Sequence, residues 1–155
     1  MSTTLHPPIR ARPATARPQT EAPSTRSDPR YQAYVILRAG FTLLPLVVGI
    51  DKFFDVLTEW SRYLAGWIDN IVPGSAEQFM YGVGVVEIIA AGLVAIRPRI
   101  GAYVVAAWLA GIVVNLVSYG EWYDIALRDF GLMLAALAFA RLAKIYDRPM
   151  RSAAS

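Results

Sequence analysis

Residues Ser75–Ile96 read SAEQFMYGVGVVEIIAAGLVAI, an apolar run with Glu77 at its start and a single carboxylate, Glu87, in its interior. At ~1.5 Å of rise per residue this run reaches about 33 Å as a helix, enough to cross a hydrocarbon layer of roughly 30 Å. A carboxylate at that depth costs several kcal/mol unless it is paired, protonated or facing water. The remainder of the chain must therefore supply Glu87 with neighbours and hold it at a fixed depth.

Composition agrees with a membrane setting. Hydrophobic residues make up 55% of the 155 and charged residues 17%, with a mean hydropathy of +0.39. Both depart from soluble domains in the apolar direction. The net charge of +3 is carried by the first thirty residues, where Arg10, Arg12, Arg17, Arg26 and Arg30 face only Glu21 and Asp28. A basic tail beside a bilayer sets orientation, so no nucleic-acid partner is expected. There is no cysteine, and the only histidine is His6. Disulfides, thiol redox chemistry, Fe–S clusters and His- or Cys-ligated haem are thus excluded within this chain, and no metal site is expected.

Residues 1–30 hold six of the ten prolines and are expected to form a disordered cytoplasmic tail. Residues 31–147 are expected to form an all-α, integral membrane four-helix bundle, and residues 148–155 a short basic cytoplasmic tail. Helix one is placed at 31–57, where Arg38, Thr42, Pro45, Gly49 and Lys52 share one face. Pro45 is expected to kink it. Residues 58–74 place Trp60, Leu64, Trp67, Ile68 and Ile71 at helical spacing and predict a short interfacial amphipathic helix. In helix two, Glu77, Tyr81, Gly84, Glu87, Ala91 and Ala95 form a stripe of small and polar residues. Helix three covers 100–119, with Asn115 able to donate and accept across an interface. Helix four covers 124–146, with Asp124 as N-cap or first-turn acid.

Basic residues concentrate in the N-terminal tail, at Arg97 and Arg99, and at the C-terminal end, whereas Lys52 and Arg62 alone lie near the opposite boundary. Four spans with both termini cytoplasmic satisfy the positive-inside rule at every loop. That topology places Asp51, Lys52, Asn115, Arg128 and Asp129 toward the outer side, with Glu87 near the midplane. Arg128 is expected to pair with Glu87 or Asp129, and Lys52 with Asp51 or Asp129, because unpaired they would be expensive in hydrocarbon. Three readings follow for the cluster Glu87, Arg128, Asp129, Lys52, Asp51 and Asn115. It is a set of ion pairs fixing helix register, or a cavity open to the outer face that binds a polar or amphiphilic ligand or relays protons, with a partner interface as a further reading. No G-x-S-x-G, H-E-x-x-H, CxxC or phosphate loop occurs, so no catalytic residue is assigned.

At GIDKFF (49–54), VGVVEIIAAGL (83–93), RPRIGAY (97–103) and LRDFGLMLAAL (127–137), the chain resembles the DoxX-like family of small bacterial membrane proteins. The resemblance implies a four-helix bundle of the bacterial cytoplasmic membrane. It further implies a membrane subunit or scaffold linked to a quinone-dependent oxidoreductase or oxidative-stress system, with peripheral redox subunits or further copies of itself as partners. Without cysteine, a redox role would be that of a quinone-binding or anchoring subunit. A small transporter or ligand-binding protein using Glu87 and Arg128 is the alternative, and an enzyme acting on an amphiphilic substrate a third.

Overall fold

A computed structural model describes residues 27–147. The expected tails therefore lie almost wholly outside the described residues. Among those residues there is no strand. Four long helices, α1 (Pro29–Asp51), α3 (Ala76–Ile96), α4 (Pro98–Tyr119) and α5 (Tyr123–Tyr146), carry the fold, and α2 (Gly66–Asp69) is a single turn. Three of them, α1, α3 and α4, are long and apolar enough to cross a membrane. The fourth, α5, carries Asp124, Arg128 and Asp129 near its start and Arg141 and Lys144 near its end, with no charge from Phe130 to Ala140.

Each boundary has a local cause. Asp28 caps α1 by accepting from the Arg30 amide at 2.9 Å, with Pro29 in the first turn, where its missing N–H is no loss. Ser75 and Gln78 form a reciprocal capping box at the start of α3. Pro98 ends α3 and opens α4 across the single residue Arg97. Gly120 closes α4 at φ +89°, a left-handed conformation open to glycine at little cost.

The helices run antiparallel in a ring, with α1 against α3 and α4 against α5 as the two extensive interfaces. The α1–α3 register is set by three contacts. Arg38 donates to the Ala95 carbonyl, Gly49 lies against Gly84, and Phe53 stacks on Tyr81 at 5.5 Å. The interior then divides along its length. At the end holding both described termini it is apolar, with Phe139 fully buried between Tyr34 and Phe41 at ring distances of 5.8 and 5.9 Å. At the other end it is polar. Around the outside, Ile36, Leu43, Leu44, Ile89, Val114 and Leu134 are exposed, far more apolar surface than water favours.

Two expectations are corrected. Helix α1 starts at Pro29, runs through Pro45, and stops at Asp51 rather than continuing to 57. The interfacial amphipathic helix over 58–74 does not form as one element. It is replaced by a 3-10 turn (Trp60–Tyr63) and α2, separated by an extended Leu64–Ala65 step. The reason is tertiary. Asn115 of α4 accepts from the Ala65 amide at 3.0 Å and donates to the Tyr63 carbonyl at 2.8 Å, taking backbone groups that a continuous helix would use internally. Leu64 and Ala65 are thereby buried and the segment becomes a lid over the polar end.

Candidate functional site

The lid is organised from the last residue of α1. Asp51 accepts from the Leu57 amide at 3.2 and 3.1 Å, one contact to each carboxylate oxygen, and from Trp60 Nε1 at 2.9 Å. It therefore folds the chain back over the helix end, aided by Asp55 in the left-handed region at φ 50°. That turn delivers the Trp60 ring to Lys52, whose Nζ sits 3.8 Å from the ring centroid. On its other side Lys52 Nζ meets Glu87 Oε2 at 2.8 Å. Lys52 and Glu87 side chains are only 4% and 8% exposed. Asp51, Trp60, Lys52 and Glu87 thus form one continuous chain of contacts linking α1, the lid and α3.

Lys52 therefore pairs with Glu87, not with Asp51 or Asp129. Arg128 takes the second of its expected partners, with Nε 3.0 Å from Asp129 Oδ1. The two side chains differ sharply in setting, being 66% and 8% exposed. One residue along a helix turns the side chain by about 100°, so Asp129 looks into the bundle while Arg128 reaches back from the outside. Arg128 is not brought to Glu87. Asp129 is close enough for its charge to act on Glu87, and Asn115 serves the lid rather than the ion pairs.

Three tryptophans complete the polar end. Their roles were not visible in the sequence beyond their helical spacing. Trp60 bridges Asp51 and Lys52, as above. The buried indole N–H of Trp108 is directed at Glu87, and that of Trp122 has no hydrogen-bond partner among the described residues. Trp122 packs edge-on against Tyr63 of the lid at 4.9 Å, with the Arg62 guanidinium 5.1 Å from its ring.

The Lys52–Glu87 pair is shielded from water, its lysine is bracketed by a carboxylate and an aromatic face, and its neighbouring carboxylates already accept hydrogen bonds. Asn115 anchors the extended step of the lid to α4, with Trp67 Nε1 donating to Ser118 Oγ at 2.8 Å close by, and Asn115→Ala should cost about 1–3 kcal/mol through the unsatisfied Ala65 amide and Tyr63 carbonyl. Limited proteolysis should then cut between residues 58 and 74 several-fold faster than in the unaltered chain. Unchanged cleavage would show that the lid is held by other contacts. Compared with protein-family models, curated proteins and solved structures, the chain has no match.

Proposed function

We propose that this chain is a DoxX-like membrane protein of four spans, with both termini cytoplasmic. In this reading it serves as a membrane subunit or scaffold for a quinone-linked oxidoreductase or oxidative-stress system. The observation that carries the proposal is the closed Lys52–Glu87 pair beneath Trp60, which suits a rigid platform better than a site that must open to a substrate. Helix α5 supplies the fourth span through its uncharged stretch from Phe130 to Ala140, with Arg128 snorkelling outward along the bundle surface. The exposed apolar belt is its lipid contact, and the four quoted motifs carry the family resemblance.

The test is to crosslink the tagged chain in its native membranes, extract it in mild detergent and identify what co-purifies. A discrete redox protein in stoichiometric amount is the expected result. Recovery of the chain alone, or only with copies of itself, would overturn the scaffold role.

A further inference from the structure

The opposite end of the bundle carries a feature that neither the ion pairs nor the lid uses. Where α3 hands over to α4, an open groove of about 770 Å³ lies between the turn and the end of α5. Its floor is apolar, formed by Ile96, Ile100 and Tyr103, all exposed. Its rim is charged, with Arg97 and Arg99 on one side and Asp147 on the other. Pro98, between the two arginines, is fully buried. It anchors the turn in the bundle and leaves both flanking side chains outside, where both are exposed. Among the described residues neither guanidinium has a hydrogen bond or ion pair. Asp147 accepts from the backbone amide of Arg99 at 3.4 Å and so already sits at the first turn of α4.

Two guanidinium groups and one carboxylate leave the groove with one net positive charge, the complement of a single phosphodiester. Arginine suits that ligand because its planar fork can present two N–H donors to two phosphate oxygens. An apolar floor continuous with exposed Ile96 and Ile100 asks for a ligand that is anionic at one end and hydrocarbon at the other.

We propose that this groove binds the phosphodiester headgroup of an anionic phospholipid, with Arg97 and Arg99 gripping the phosphate and the acyl chains lying along Ile96, Ile100 and Tyr103. The site rests on the membrane-spanning reading above, which puts this turn at the cytoplasmic interface. It ties the α3–α4 turn and the end of α5 to the anionic leaflet, beyond the diffuse attraction expected of a basic tail.

The full chain is first tested for resistance to alkaline carbonate extraction from its membranes. It is then reconstituted in phosphatidylcholine nanodiscs and titrated with phosphatidylglycerol or with inorganic phosphate, following the melting temperature. Binding to the folded state raises that temperature by mass action. The expected result is a rise with phosphatidylglycerol alone. Arg97→Gln/Arg99→Gln should weaken the apparent affinity about thirtyfold, from roughly a factor of five per arginine. Arg97→Lys/Arg99→Lys should recover part of it, and Arg141→Gln/Lys144→Gln should bind as the unaltered chain does. A carbonate-resistant chain showing no rise, a rise retained by the double glutamine variant, or an equal rise with inorganic phosphate would each overturn the lipid site while leaving the spanning reading intact. Release by carbonate would overturn both.

Discussion

Replacing Lys52 by methionine is expected to destabilise the folded chain by about 3–5 kcal/mol, the range found when one partner of a buried ion pair is removed. The loss does not measure the worth of the 2.8 Å contact itself. Most of it is the penalty of leaving Glu87 charged in an environment from which water is nearly excluded, with Asp129 nearby to repel it. The Trp60 face loses its cation at the same time, and the turn that Asp51 and Trp60 build loses one of its two supports. A second substitution distinguishes these contributions. Lys52→Met combined with Glu87→Met removes both charges, and apolar replacement of a buried pair is often neutral or stabilising. The double variant should therefore regain most of what the single one loses. Unfolding in detergent, followed by circular dichroism against temperature or added SDS, provides the measurement. A single variant as stable as the unaltered chain would mean that Glu87 is not held by Lys52. A double variant no better than the single would mean that packing, not charge, sets the cost.

The two halves of this pair were legible in the sequence, and the pairing was not. Gly49 and Lys52 fell on one stripe of the first helix, and Gly84 and Glu87 on one stripe of the second, because helical periodicity fixes what shares a face. Which stripes meet depends on the antiparallel register, and no local property of either helix encodes it. Lys52 was therefore assigned to carboxylates near it in sequence or depth, while its long side chain in fact crosses to α3. Arg128 shows the same limit from the other side, since periodicity alone could not say whether it or Asp129 faced inward. The end of α3 before Pro98 was legible, but the same proline also opens α4, two residues ahead of the expected start at 100. The helical spacing over 58–74 does not yield a helix because the shape of this segment is imposed by Asn115, fifty residues away from the amide whose hydrogen bond it accepts. Trp60 looked like one apolar residue of an amphipathic helix, yet its ring and its N–H serve two different charged residues.

Gly84→Ala should cost about 1–3 kcal/mol, a large effect for one added methyl group, because the obstacle is backbone rather than a side chain that can swing aside. A Cβ at Gly84 would lie 2.6 Å from the Gly49 carbonyl oxygen and 3.2 Å from Lys52 Cβ, and one at Gly49 would lie 2.8 Å from the Gly84 carbonyl oxygen. The two glycines thus let α1 and α3 touch main chain to main chain, the close approach that small residues permit between membrane helices. Gly82 provides the control, since it lies on the same helix with nothing within 4 Å of its would-be Cβ. Gly82→Ala should be neutral or stabilising by up to about 1 kcal/mol, through helix propensity alone. The same assay would reject the close-contact argument if Gly84→Ala matched Gly82→Ala. The crossing also couples to the ion pair, because Lys52 Cβ lies against Gly84 and Glu87 Cβ against Gly49, so the Lys52 side chain spans the crossing to reach its partner. Forcing the helices apart at the glycines lengthens the reach required of Lys52. Gly84→Ala and Lys52→Met together should then cost less than the sum of the two, as expected when each has already damaged the contact the other depends on. Strict additivity would mean that crossing and ion pair are separate devices, whereas a shortfall would identify them as one lock closing the polar end of the bundle.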